Sequence, residues 1–117
     1  MKTILLVDDE ETLREIIAMQ LEDDGYNILQ AGSGNDAFEI VKKNEIDLII
    51  SDMRMPNGSG EDLLKSLNNL DKKPPFILVT GFSELTKDDA IKLGAHDMLS
   101  KPIDFDELES HIEKLLA

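Results

Sequence analysis

The residues of this chain that can do chemistry stand directly after its apolar runs. Ile4-Leu5-Leu6-Val7 is followed by Asp8, Asp9, Glu10 and Glu11, and Leu48-Ile49-Ile50 leads through Ser51 to Asp52. Phe76-Ile77-Leu78-Val79 ends in Thr80 and Gly81, and Met98-Leu99 leads to Lys101-Pro102. Carboxylates brought together repel one another and raise each other's pKa. A hard divalent cation relieves that repulsion, and oxygen ligands with room for water suit Mg²⁺, or alternatively Mn²⁺. A lysine beside such a cluster adds fixed positive charge, and a threonine adds a hydroxyl donor. Together these groups can stabilise a transferring phosphoryl group, whose charge spreads over its oxygens. Each residue alone has a plainer reading. A strand-end aspartate is usually a cap or loop residue, Asp9 a solvated acid, Thr80 a β-branched strand end and Lys101 a surface lysine. Their joint occurrence after successive apolar runs is what points to a site.

These residues need a scaffold that carries them to one rim. Runs that are apolar at every position suit strands buried on both faces, as in a parallel sheet. Tyr26 to Gln30 is a weaker run of the same kind. Between the runs lie helical stripes at spacings of three and four. Leu13, Ile16, Ile17, Gln20 and Leu21 share one face; Ala37, Ile40 and Val41 follow, then Leu63, Leu64 and Leu67. Ala90 and Ile91 mark a shorter helix, and Phe105, Leu108, Ile112 and Leu115 the last. Start signals precede them as pairs three apart: Thr12 with Glu15, Ser33 with Asp36, Ser59 with Asp62, Thr86 with Asp89, and Asp104 with Glu107. These resemble capping boxes, although Asp reaches back less well than Glu. Gly25 and Gly94 stand where the first and fourth helices want a left-handed C-terminal residue. The reading is an α/β fold of five strand-helix repeats. Right-handed crossovers place helices on both faces of an open parallel sheet, and ligands bind beyond the carboxyl ends of its strands. If the first and third strands are neighbours, Asp8, Asp9 and Asp52 converge.

Composition narrows the functions. A length of 117 residues with 41% hydrophobic content fits one domain, 1–117, with its own core. There is no cysteine, so disulfides, thiolate metal sites and a thiol nucleophile are excluded. Nothing resembles a signal peptide or an apolar membrane span, and a cytoplasmic location is expected. Twenty-five acids against 12 bases give −13, which disfavours direct binding to nucleic acid or anionic membrane. His96 and His111 lack metal-ligand spacing and read as surface residues. The five methionines read as core or loop fillers.

Over essentially its whole length the chain resembles the receiver domain of bacterial response regulators, the CheY-like family. The likeness rests on Val7-Asp8-Asp9-Glu10, Asp52-Met53-Arg54-Met55-Pro56, Thr80-Gly81, Gly94-Ala95-His96-Asp97 and Lys101-Pro102. It implies a doubly wound (βα)5, flavodoxin-like sheet of order 2-1-3-4-5. It implies that Asp52 accepts a phosphoryl group from a phosphohistidine on a sensor histidine kinase or phosphotransfer protein. By the same resemblance Asp9, Asp52 and the backbone carbonyl of Arg54 bind Mg²⁺, and Asp8 acts mainly through a water. Thr80 and Lys101 contact phosphoryl oxygens, Gly81 keeps the site accessible, and the Lys101-Pro102 bond is cis. The resemblance further implies that Arg54 and Phe82 tune the rate of phosphoryl gain and loss, a solvated loop arginine being the equal alternative for Arg54. The domain catalyses its own phosphorylation and dephosphorylation without being a turnover enzyme, and it signals by a population shift.

The same likeness locates partners. A kinase is expected at the first helix around Arg14 and Ile17. The output surface combines the fourth helix, fifth strand and fifth helix, with Lys87, Asp88, Lys92, Asp97, Met98, Asp104 and Glu107. The last helix has no arginine, which disfavours an ion-paired dimer; a monomer or weak dimer is expected, with the downstream effector unspecified. The chain reads as a single-domain regulator or a receiver cut from a longer protein. Three positions depart from the family pattern. Met98 replaces the usual Tyr or Phe and puts the aromatic switch in doubt, Gly58 predicts a looser loop after Asp52, and Ile103 replaces a frequent Phe. The main alternative is a pseudo-receiver that binds partners without phosphorylation. A small Mg²⁺-dependent phosphohydrolase lacks a substrate cap and a water-activating acid here. A flavin module would not place Asp8-Asp9-Glu10 against a phosphate.

Overall fold

The structure is a computed structural model, and it describes residues 1–81 and 85–117. Five strands, β1 (Thr3–Val7), β2 (Asn27–Ala31), β3 (Leu48–Asp52), β4 (Phe76–Thr80) and β5 (Asp97–Ser100), form one parallel sheet of order β2-β1-β3-β4-β5. Five helices alternate with them: α1 (Glu11–Asp23), α2 (Gly34–Lys43), α3 (Gly60–Leu67), α4 (Lys87–Leu93) and α5 (Phe105–Leu116). The expected α/β topology is therefore present.

The continuous apolar runs are explained by two cores, one on each face of the sheet. Leu5, Val7, Ile49 and Leu78 pack with Ala37, Leu63, Leu64 and Leu67 of α2 and α3. Ile4, Leu6, Ile50 and Val79 pack with Ile17, Leu21, Leu108 and Ile112 of α1 and α5. Successive strand residues point to opposite faces, so a strand between two helical layers must be apolar throughout. All five residues of β3 and of β4 are buried, whereas the edge strand β2 buries only Ala31. That edge position accounts for its weaker sequence signal.

Helix starts follow the capping pairs at four of the five positions. Ser59 and Thr86 close full reciprocal boxes with Asp62 and Asp89, so the shorter aspartate does reach back at both. Ser33 accepts from the Asp36 N–H, and Asp104 accepts from Asp106 and Glu107. The first helix departs from the expectation. Its N-cap is Glu10, which makes no side-chain capping bond, and Thr12 lies inside the helix. The start is set from the preceding strand: the Glu10 N–H donates to Asp8 Oδ1 at 2.9 Å, and the Arg14 N–H closes the first turn on Glu10 O at 2.9 Å. Gly25 and Gly94 adopt the left-handed φ values of 99° and 112° expected after α1 and α4.

Other expectations are corrected by packing. Ile17 is 2% exposed, whereas Ile16 is 51% exposed and Met19 65%. Leu13, Ile17 and Leu21 lie in line at i, i+4 and i+8, and Ile16 falls on the flank that α1 turns away from the sheet. His111 is not a plain surface residue: its Nδ1 faces the carboxylate of Asp97, which is 4% exposed and also pairs with Lys87 at 3.2 Å. Asp97 is thus interior rather than part of the output surface. Burial works against its charge, but the Met98 N–H, Lys87 and His111 outweigh it and hold the carboxyl below the usual range. His96 is exposed, yet its Nδ1 accepts from the Phe76 N–H at 3.2 Å. The loop containing Gly58 is anchored to α2. Gly34 N–H donates to Gly58 O at 2.7 Å, and Asn35 N–H to Asn57 O at 3.2 Å. A Cβ on Gly34 would sit 2.6 Å from Gly58 O, so the close approach depends on glycine there.

Candidate functional site

Register alone brings the acids together. Val7 pairs with Ser51, so the next residues, Asp8 just past β1 and Asp52 at the end of β3, stand side by side. Asp52 pairs with Val79 and Thr80 with Ser100, which carries Thr80 and then Lys101 to the same rim. Asp8, Asp52 and Thr80 are buried there, and Asp9 is exposed. One carboxylate oxygen from each of Asp8, Asp9 and Asp52 lies within 4.8 Å of the others. All-oxygen donors at this spacing fit a hard divalent cation. The Lys101-Pro102 peptide bond is cis, as expected.

Lys101 Nζ donates to Asp52 Oδ2 at 2.8 Å and stands 3.9 Å from Asp8 Oδ2. Burial of the Asp52 carboxyl pushes its pKa up to about 6; the Lys101 bond opposes this, and the Asp8 charge adds to it. Burial also works against the Lys101 charge, but the bond to Asp52 and the charges of Asp52, Asp8 and Glu10 hold it above its usual range. The cluster is short of positive charge, and a divalent cation would supply it.

The neighbouring backbone fixes this rim. Met53 N–H donates to Val79 O at 2.8 Å, and Gly60 N–H to Met53 O at 2.9 Å. A Cβ on Gly60 would lie 2.3 Å from Asp52 O, so α3 can start against the acid's own carbonyl only with glycine. An open cleft of about 360 Å³ lies over the acids, lined by Asp9, Glu10, Asp52, Thr80, Gly81 and Lys101 among others. Arg54 is exposed on its wall. Phe82 lies outside the described residues. Met98 is half-buried against the core that includes α3 and α4, and Ile103 packs on the opposite core.

Two residues were given other roles, or none, by the sequence pattern. Glu10 lines the cleft, and Arg14, expected at a docking surface, folds back so that Nη1 donates to Asp8 O at 2.7 Å. A cation in the first turns of a helix opposes the helix dipole, and that is the signal that could have marked Arg14 as held by a specific acceptor.

Comparison with known proteins agrees with this geometry. Residues 4–113 match the family model of the response regulator receiver domain. The transcriptional regulatory protein ZraR of Salmonella typhimurium is 40% identical over 115 residues, which are 97% of this chain and 26% of that protein. The chain therefore spans about a quarter of that regulator's length. Sporulation initiation phosphotransferase F of Bacillus subtilis is 33% identical over 97% of this chain and 92% of its own. Among solved structures, the receiver domain of the Francisella response regulator 1452 superposes with a TM-score of 0.93 at 28% identity, covering 99% of this chain and 97% of that one. Response regulator TrrA of Thermotoga maritima, solved in complex with Mg²⁺-BeF, gives 0.89 at 34% identity, covering 99% and 100%.

Proposed function

This chain belongs to the response regulator receiver domain family of two-component signalling, and from that premise we propose that Asp52 is its phosphoacceptor. The observation that carries the proposal is the buried Asp52 carboxylate, held 2.8 Å from Lys101 Nζ inside a three-carboxylate cluster at the open rim of the sheet. An Asp52 oxygen attacks phosphorus, the bond to the phosphohistidine nitrogen breaks, and that nitrogen keeps the electron pair. The proposed unit is the whole receiver, 1–117.

The residues divide the work. Asp9, Asp52 and the Arg54 backbone carbonyl would hold Mg²⁺, with Asp8 acting mainly through a water. When bound, the ion supplies the positive charge that lets phosphoryl oxygens approach the acids. Phosphorylation adds a charge of about −2 to the pocket. Lys101, already paired with Asp52, neutralises part of it, and the Thr80 hydroxyl donates to a phosphoryl oxygen. The preferred position of Thr80 then shifts the populations of the α4-β5-α5 surface toward an effector. Receiver domains are not turnover enzymes in the ordinary sense, and this one is proposed to catalyse only its own phosphoryl gain and loss.

The donor is proposed to be a histidine kinase or phosphotransfer protein. A groove of about 460 Å³ beside the acids, with Glu10 and Lys101 at its charged edge and Leu13, Pro102, Ile103 and Phe105 along it, offers a seat between α1 and α5. No helix among the described residues is long and apolar enough to cross a membrane. A cytoplasmic protein that meets partners as a monomer or weak dimer, without direct nucleic-acid contact, is the reading consistent with the −13 charge.

Acetyl phosphate with Mg²⁺, read by intact mass, tests the assignment. One added phosphoryl group is expected, and none in Asp52→Ala. A folded protein that takes up neither phosphoryl nor beryllofluoride would be a pseudo-receiver. Repeated turnover of a phosphoester would make it a hydrolase.

A further inference from the structure

We propose that Arg14 is a positioning residue for the cation site, acting through the backbone of Asp8. Asp8 is held on every side. Its N–H donates to Ala31 O at 3.1 Å, and its Oδ1 accepts the Glu10 N–H at 2.9 Å. Its carbonyl accepts Arg14 Nη1 at 2.7 Å. The same guanidinium donates through Nε to Gln30 Oε1 at 3.0 Å, so one planar group ties the turn after β1 to the neighbouring strand β2. A fixed fork of donors is what arginine offers and lysine lacks. Gly32 lies against the guanidinium, and a Cβ there would make a tight contact of 3.3 Å with Nη1.

The turn held in this way carries Asp8 and Asp9, two of the three clustered acids, and its far end is Glu10, from which α1 starts. Groups that hold a ligand's backbone set how much order the site must gain when a cation binds. Arg14 has a second, opposite effect. Its positive charge opposes a divalent cation nearby, so charge alone predicts tighter binding when it is removed. The two roles therefore give opposite signs in one measurement.

The inference rests on the Mg²⁺-binding reading above. The test is a Mg²⁺ titration followed by backbone amide chemical shifts, for the wild type, Arg14→Gln and Arg14→Lys, with thermal unfolding in the absence of Mg²⁺ as a check of folding. Arg14→Gln is expected to bind Mg²⁺ about three- to tenfold more weakly, at or below the low end of the scale for losing a ligand's direct orienting partner, because Arg14 acts through the backbone of the turn. In acetyl phosphate labelling it is expected to raise the half-saturating Mg²⁺ and leave the rate at saturating Mg²⁺ unchanged. Arg14→Lys, which keeps the charge without the fork, is expected to recover affinity only in part. Unchanged or tighter binding in a folded Arg14→Gln protein would overturn the proposal, since a structural residue would lower only the unfolding temperature and a charge would act with the other sign. A wild type that binds no Mg²⁺ would instead overturn the reading on which it rests.

Discussion

His96 ties one strand to the end of the next helix-to-strand turn. Its own N–H donates to Phe76 O at 2.8 Å, and its Nδ1 accepts the Phe76 N–H at 3.2 Å. An accepting nitrogen must be unprotonated. Although the residue is exposed as a whole, partial desolvation of the ring bonded to the Phe76 N–H, with the Lys73 charge added, lowers the His96 pKa below its ordinary 6.5. The folded state thus binds this proton less readily than the unfolded chain. The contribution of His96 to stability is complete above about 6.5 and is lost as pH falls from there toward the lowered folded value. Urea unfolding at pH 7.5 and 5.5 checks this: His96→Asn, whose side-chain oxygen accepts the same bond without titrating, is expected to lose less stability on acidification than the wild type. Equal losses would sink the idea. Asp52 must be allowed for in absolute values, because its raised pKa acts with the opposite sign, but it is common to both proteins.

Helix starts carry two different duties. Thr86 caps α4 by accepting the Asp89 N–H at 3.1 Å, at a distance from the acid cluster in sequence and with no part in the cleft lining. Gly60 begins α3 against Asp52 O, where a Cβ has 2.3 Å of room. Thr86→Ala is expected to lose about 1 kcal/mol, as an N-cap does. Gly60→Ala is expected to lose about 1–3 kcal/mol, the range for overpacking, and also to slow labelling of Asp52 by displacing its backbone. Chemical denaturation with labelling kinetics on both variants distinguishes the two, and normal labelling in Gly60→Ala would show that the site does not depend on this contact. The capping pairs made most helix starts legible because each needs only neighbours in sequence. The start of α1 was not legible, because Asp8, a residue outside the helix, replaces the cap.

The whole molecule gathers three carboxylates at one rim of the sheet. Asp8 and Asp52 share Lys101, and the remaining repulsion is a cost to the folded protein without a cation. Asp8→Asn keeps the oxygen that accepts the Glu10 N–H and removes the charge. It is expected to raise stability without Mg²⁺ by about 1 kcal/mol, the scale of one unit of pKa interaction. It is also expected to shrink the gain from added Mg²⁺, which for a site at 100 times its Kd is about 2.7 kcal/mol. Thermal unfolding with and without Mg²⁺ measures both, and a variant less stable without Mg²⁺ but equally stabilised by it would contradict the site.

Much of this protein was legible from the sequence because its signals are local. Apolar runs marked the interior strands β1, β3 and β4, paired residues marked four helix starts, and Asp8, Asp9, Asp52, Thr80 and Lys101 stood out by following those runs. That β1 and β3 are neighbours is a tertiary fact; once they pair in parallel, Val7 opposite Ser51 sets Asp8 beside Asp52. Only the tertiary structure decided which flank of α1 is buried, that Asp97 and His111 face each other across β5 and α5, and that the loop at Gly58 is pinned to α2. It also decided which acceptors Arg14 meets. A long side chain can reach any of several acceptors, and which one it finds depends on how α1 is rotated and on its fit against Gly32, neither of which is written in the residues next to it.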